Sequence, residues 1–262
     1  MIGEPFLNEE KKVAVTIIIA TFNSEKTLRQ ALTSVRDQTF QNWECIIVDG
    51  ASKDGTLDIV KEFAGADSRF RYISEPDHGV YYAFNKGWKI AKGEWIHYLG
   101  ADDVLTENGI NDLMKHEDSA IDVLNGHCYV KKIDGTIKPC FSNGMWGCHQ
   151  GKLTRRSILE KYGGFDTTYK ILADADLMSR LSADGIAVKI VDTFVAIFYM
   201  GGISQDLKGI IKRLRERIRL CKPRSRTRDI TNAFYIFIKE ILSIIYRKSL
   251  SKLNVQKTCE HS

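Results

Sequence analysis

Residues 13–20 read VAVTIIIA, a run with one hydroxyl and no charge. A strand with one wet face would alternate polar and apolar positions. This one does not, so both of its faces must be covered, as inside a parallel sheet with helices on either side. Thr21-Phe22-Asn23-Ser24 stops the run, and the spacing of Leu28, Leu32 and Val35 predicts a helix over 25–39, capped by Asn23 or Ser24. The pattern then repeats. WECIIV (43–48) ends at Asp49-Gly50, a turn at 52–55 leads into a helix over 56–64, and 70–74 is a short strand. A helix over 81–91 and a strand EWIHYL (94–99) follow, the latter running into Gly100-Ala101-Asp102-Asp103.

Such β-α alternation implies right-handed crossovers and a mostly parallel, Rossmann-like α/β sheet flanked by helices. Ligands of such sheets bind beyond the carboxyl ends of the strands. Thr21, Asn23, Asp49, residues 75–77, Asp102 and Asp103 all fall there. The second half is less regular. It predicts a hairpin over 122–141 turning at Asp134-Gly135, a Gly-rich loop over 142–151, helices over 156–162 and 173–183, and a strand over 187–199. No linker separates two independent cores before about residue 205, so the expected division is one domain over 1–206, with halves at 13–103 and 104–206, and a basic helical tail over 207–262.

The 262 residues carry 38 Lys and Arg against 33 Asp and Glu, a net +5 that hides a split. Residues 207–257 hold 15 of the bases and 3 of the acids, leaving 23 bases and 30 acids elsewhere. An acidic body joined to a basic tail suggests an anionic surface as the tail's partner. The polar N-terminus lacks the pattern of a secretory signal, and no window is apolar enough for an ordinary membrane span. Six cysteines without CxxC spacing are expected as isolated, reduced thiols rather than a zinc site.

Adjacent carboxylates at a strand end suit a hard divalent cation shared with substrate phosphates, although a lone Asp-Asp more often caps a helix. Asp49 can accept a hydrogen bond from a nucleobase N–H, or simply shape a turn. Asp174 and Asp176 open a predicted helix, where one can serve as a general base and the other as a cap. No GxxxxGK[ST] or GxGxxG follows any strand, which disfavours P-loop kinases and dinucleotide-dependent dehydrogenases.

In their order, TIIIATFNSEKTL, IIVDGASKDGT, SEPDHGVYYAFNKGWKIAKGEWIHYLGADD, HQGKLTRRSIL, YGGFD and LADADLMSRL resemble the family 2 glycosyltransferases, which have the GT-A fold. The SEPDxGxYxAxNKG run with the later HQ is similar to the branch that builds bacterial surface polysaccharides. The resemblance implies metal-dependent transfer of a sugar, with inversion, from a nucleotide-sugar (UDP being the branch's usual nucleotide) to a hydroxyl of a lipid-linked or oligosaccharide acceptor. It implies Thr21 and Asn23 in the nucleotide pocket, Asp49 at the base, and Asp102 at the ribose or sugar. It further implies Asp103 on Mn²⁺ or Mg²⁺ and Asp174 as general base. His149 and Gln150 are candidates for diphosphate or acceptor contacts. Gly50-Ala51, Tyr82 and Ala173 depart from the family's common residues and bear on the donor sugar.

Within 208–228, ten basic residues interleave with Ile210, Ile211, Leu214, Ile218 and Leu220, and 232–246 is far more apolar. This suits an interfacial membrane segment and predicts a cytoplasmic protein, peripheral on the inner face of the cell membrane. A helical pair packed on the core or on an oligomeric partner is the alternative. Nucleic acid is not expected, since no recognition motif is present and the body is acidic. The rival activities are a sugar-nucleotide nucleotidyltransferase, which would want a basic Gly-rich loop after the first strand, and a non-catalytic, membrane-associated protein of the same fold.

Overall fold

The apolar run forms β1 (Val15–Thr21), in which Val15, Ile17, Ile18 and Ile19 have no exposed surface. It pairs in parallel with β2 (Trp43–Asp49) on one side and β4 (Trp95–Gly100) on the other, and β2 pairs in parallel with β3 (Phe70–Ser74). The crossovers carry α1 (Leu28–Arg36), α2 (Thr56–Ala66) and α3 (Val80–Lys89). The expected face of α1 is the buried one, with Ala31 joining Leu28, Leu32 and Val35. On α3, Gly87 lies so close to β1 that a Cβ there would stand 2.4 Å from Ile18 Cγ2.

A computed structural model describes residues 12–200, 207–221, 231 and 233–239 of the chain. Its packing divides it into two units. The first holds the residues up to Thr167 together with Leu177–Met200. Beyond β4 it contains β5 (Val104–Leu105), α4 (Gly109–Met114), β6 (Val123–Lys131), β7 (Ile137–Cys140), β8 (Lys152–Arg155) and α5 (Arg156–Tyr162). α6 (Ala173–Ala183) and β9 (Val188–Tyr199) follow. One nine-stranded sheet runs β3-β2-β1-β4-β8-β6-β9-β5, with β7 on β6. β8 pairs antiparallel with β4 and β6, while β6 and β9 are parallel. The expected α/β sheet is therefore present, with every antiparallel pairing involving β7, β8 or β9.

The second unit holds Thr168–Asp176, with the first turn of α6, and the residues after Met200. Described there are α7 (Leu207–Leu220), Cys221 and helical residues 231 and 233–239. The rest of the expected tail, residues 222–230, 232 and 240–262, lies outside the described residues, as do residues 1–11 and 201–206.

α1 starts later than the spacing predicted. Its N-cap is Thr27, and neither Asn23 nor Ser24 caps it through a side chain. Both are engaged elsewhere. Asn23 N–H donates to Ser52 Oγ (2.8 Å), Lys53 N–H to Asn23 Oδ1 (2.8 Å), and Ser24 N–H to Thr56 Oγ1 (2.7 Å). Glu25 N–H donates to Asp54 Oδ2 (3.2 Å) and Gly55 N–H to Glu25 Oε2 (2.8 Å). These bonds join the loop after β1 to the loop after β2. Each loop also contains one non-glycine residue in the left-handed region, Asn23 at φ 50° and Ala51 at φ 61°. Asn tolerates that region; for Ala it costs about 1–2 kcal/mol, a strain the surrounding bonds must hold.

His97 on β4 has no exposed surface, and its Nδ1 lies 2.9 Å from the Lys152 carbonyl oxygen. Nδ1–H therefore donates, and Nε2 is left as a buried acceptor with no partner among the described residues. Desolvation holds the imidazole down from 6.5 to about 4. The folded state thus resists protonation that the unfolded chain accepts. Stability from this group is full above about pH 6.5 and is lost as pH falls towards 4, a loss of about 3 kcal/mol. In urea unfolding between pH 7 and 4, His97→Gln, which keeps a donor for Lys152 but cannot titrate, will show a shallower decline than the parent. Parallel declines would contradict this account.

Candidate active site at the strand ends

The register of the parallel strands assembles the site. Thr21 stands opposite Asp49, Asp49 opposite Ser74, and Ala20 opposite Gly100. Thr21, Asp49 and the turn bearing Asp102 and Asp103 therefore lie along one edge of the sheet.

Asp49 is fully buried. It accepts hydrogen bonds from Ser52 N–H (3.1 Å), from Ser52 Oγ and from Ser74 Oγ (2.7 Å). Its carboxylate thus ties the ends of β2 and β3 to the Ser52 turn. Gly50 follows, and a Cβ there would meet the Phe22 ring at 3.3 Å and Asp77 Oδ2 at 3.4 Å. Thr21 is 5% exposed, and its hydroxyl has no partner among the described residues. Asn23 is exposed, with its amide oxygen on Lys53 N–H as described above.

Asp102 and Asp103 are adjacent but differ in exposure and in partners. After β4 the chain makes a tight turn, Asp103 N–H donating to Gly100 O (3.2 Å), and enters β5, which pairs antiparallel with β9. Asp103 therefore caps no helix; the next one, α4, begins at Gly109. The β5–β9 pairing brings Asp103 beside the end of β9. Its Oδ1 accepts from Tyr199 N–H (3.0 Å) and its Oδ2 from Gln150 Nε2 (2.7 Å), and the residue is 1% exposed. Asp102 is exposed. Both carboxylates fold over Gly100, where a Cβ would stand 2.6 Å from Asp103 Oδ2 and 2.9 Å from Asp102 Oδ1.

Burial raises the pKa of both groups. At Asp103 the charge of Asp102 adds to the rise, against the Tyr199 N–H and Gln150 bonds. A second buried carboxylate shows what is missing. Glu44 accepts from Thr16 Oγ1 (2.8 Å), Lys92 N–H (2.6 Å) and Arg71 Nη2 (2.6 Å). Burial works to raise its pKa too, yet those bonds and the Arg71 charge hold it below the ordinary value. No Lys or Arg among the described residues pairs with Asp102 or Asp103. Two neighbouring carboxylates without a paired Lys or Arg fit a divalent metal. Asp102 is the solvent-facing member of the pair, and each Asp103 oxygen accepts one hydrogen bond within the protein. The described residues contain no group of three or more His, Cys, Asp or Glu that could hold a metal unaided, so the remaining ligands would come from substrate and water.

Two features escaped the sequence. Gln150 is 3% exposed and supports Asp103 from a short 3-10 turn, His149–Gly151. Its motif was visible, but a partner 47 residues away was not. The cysteines are not all isolated: Cys140 and Cys148 Sγ lie 3.7 Å apart, and Cys128 is the cross-strand partner of Cys140. The Cys128 thiol chiefly pulls Cys148 down to about 6. No spacing rule covers such a group. Asp174 and Asp176 lie in the first turn of α6, as expected, within the second unit.

Comparison with known proteins agrees with this geometry. Residues 16–172 match the family described as glycosyl transferase family 2. The chain is 31% identical over 229 residues to a PGL/p-HBAD biosynthesis glycosyltransferase of Mycobacterium bovis, covering 78% of this chain and 85% of that protein. It is 29% identical over 169 residues to the putative glycosyltransferase EpsH of Bacillus subtilis, covering 57% and 49%. Among solved structures, S. aureus TarS 1–349 in complex with UDP-GlcNAc superposes with a TM-score of 0.62 at 17% identity, over 88% of this chain and 73% of that one. The mannosyltransferase PcManGT of Pyrobaculum calidifontis, in complex with GDP-Man and Mn²⁺, gives 0.63 at 17% identity, over 85% and 69%. These two share the fold, the GT-A arrangement expected from the motifs. An α/β sheet that gathers paired carboxylates at its strand ends, a family match over more than half the sequence and a relative aligned over most of both chains lead to one conclusion: this chain is a glycosyltransferase and belongs to glycosyl transferase family 2.

Proposed function

We propose that the protein moves a sugar from a UDP-sugar to a hydroxyl of a lipid-linked or oligosaccharide acceptor, with inversion at the anomeric carbon. One observation carries this reading: Asp102 and Asp103 sit side by side at the strand-end edge, their pKa values raised, with no Lys or Arg among the described residues paired with either. The nucleoside would lie along the row of Thr21 and Asp49, with Asp49 holding the Ser52 turn that shapes its pocket. Asn23 contributes through the loop it fixes. Asp102 would hold Mn²⁺ or Mg²⁺ at the edge, and Asp103, steadied by Gln150 and Tyr199 N–H, would keep Asp102 and its turn in place. This moves the metal from Asp103, where the family resemblance implies it, to Asp102, the exposed member of the pair. When bound, the cation supplies charge neutralisation for the leaving diphosphate. Asp174 would accept the proton of the attacking hydroxyl. The donor complexes of TarS and PcManGT and the Mn²⁺ of the latter support the choice of donor class and metal.

A panel of nucleotide-sugars assayed with and without Mn²⁺, following nucleoside diphosphate release, tests the proposal. At least one donor will be turned over only with metal. Asp102→Asn will lose metal-stimulated donor binding with unchanged unfolding stability, whereas Asp103→Asn will lose about 1–3 kcal/mol of stability by turning a donor towards buried donors. Metal-independent turnover, or no donor binding in any combination, would overturn the reading.

The acceptor's lipid would be met by the C-terminal segment. Phe234, Tyr235 and Ile238 are 46%, 58% and 54% exposed on a helical stretch, and α7 exposes Ile211, Lys212 and Arg215. No described helix is long and apolar enough to cross a membrane. An apolar, aromatic face beside basic side chains fits the interface of an anionic bilayer, and the protein would work at the inner face of the cell membrane. Co-sedimentation with phosphatidylglycerol vesicles will fall at least tenfold in a Phe234→Ser/Tyr235→Ser/Ile238→Ser variant, and undiminished binding would refute the docking.

A further inference from the structure

The residue that precedes α6 is a leucine. Asp176 N–H donates to Leu172 O (2.9 Å), the first bond of the helix, which puts Leu172 at the N-cap. The sequence there is ILADAD, and leucine has no side-chain acceptor for the orphan N–H groups. Ser, Thr, Asn or Asp at that position would satisfy one of them.

α7 supplies an acceptor for the segment leading into the helix, up to and including Leu172 N–H. Glu216 Oε1 takes Lys170 N–H (2.8 Å), and its Oε2 takes Ile171 N–H (3.0 Å) and Leu172 N–H (2.9 Å). One carboxylate thus receives three consecutive backbone donors leading into α6. It also places a negative charge at the positive end of the helix. Glu216 is 8% exposed. It is the sole acid of α7, among six Lys and Arg, and it is turned inward. One turn further along α7, the Arg219 guanidinium lies 4.1 Å from the centre of the Tyr169 ring, clamping the residue just before the bonded three. Asp174 follows Leu172 by two residues, so the entry angle fixed by Glu216 sets the direction in which the Asp174 side chain leaves the backbone.

We propose that Glu216 is a positioning residue for transfer, holding the start of α6 so that Asp174 is presented to the acceptor hydroxyl. This rests on the reading of Asp174 as the general base. It gives α7 a role in catalysis that does not depend on a membrane. Small misplacements of a catalytic group are costly, on the order of 100-fold for about 1 Å.

The test uses the full-length protein with a lipid-free oligosaccharide acceptor, so that membrane attachment is irrelevant. Glu216→Ala, Glu216→Gln and Asp174→Asn are compared for UDP binding stoichiometry by calorimetry, for kcat per UDP-binding site and for donor KM. Glu216→Ala will lower kcat per site by about 30- to 100-fold with donor KM within about twofold. Glu216→Gln, which keeps one accepting oxygen, will fall in between. Unchanged kcat per site in Glu216→Ala would overturn the proposal, since a purely structural role lowers the number of sites and not their turnover. Should Glu216→Ala fail to fold, Glu216→Gln decides by the same comparison: parental kcat per site overturns the proposal. Asp174→Asn that retains transfer would instead remove the base assignment, whatever the Glu216 variants do.

Discussion

The parallel register of β2, β1 and β4 is the constraint on which the rest depends. Thr21 opposite Asp49, and Ala20 opposite Gly100, bring three loops to one edge at one height. That register is held by side chains with no exposure, Ile17, Ile18 and Ile19 of β1 against Cys45, Ile46 and Ile47 of β2, each worth about 1.5–3 kcal/mol for the larger ones. A one-residue slip would turn each strand over and carry the carboxylates away from one another. The apolar core and the polar edge are therefore a single design: the first fixes the geometry that the second uses.

At that edge the electrostatics are deliberately incomplete. Glu44, buried in the same sheet, has Arg71 and two further donors and is an ordinary satisfied carboxylate. Asp103 has donors but no paired Lys or Arg, and Asp102 beside it adds charge of the same sign. Folding alone would favour a lysine or arginine nearby. Its absence among the described residues is what supports the proposed divalent cation.

Much of the fold was legible because β1, β2 and β4 are continuous apolar runs and α1 has a clear stripe. The strand ends could be located by the same reading, so Asp49, Asp102 and Asp103 were found together. What was not legible was tertiary. Nothing in FNSEK says that Asn23 and Glu25 will bond the next loop instead of capping α1. The pairing of β5 with β9, a two-residue strand, buries Asp103 and leaves Asp102 exposed; no periodicity reveals a strand that short. Glu216 is invisible for a different reason: in sequence it is one acid inside a basic helix, and its meaning lies in three N–H groups more than forty residues earlier.

The basic C-terminal segment consequently has two sides. Its exposed aromatic and basic residues suit an anionic surface, while the buried Glu216 holds the start of α6. A charge average over the segment captures the first and hides the second.

The proposed transfer is a single displacement, in which Asp174 would accept the proton of the attacking hydroxyl as the diphosphate leaves. The most direct test is the anomeric configuration of the product, read from its anomeric proton coupling by NMR before any epimerisation. From an α-linked UDP-sugar, the account predicts a β-linked product; an α-linked product would contradict it.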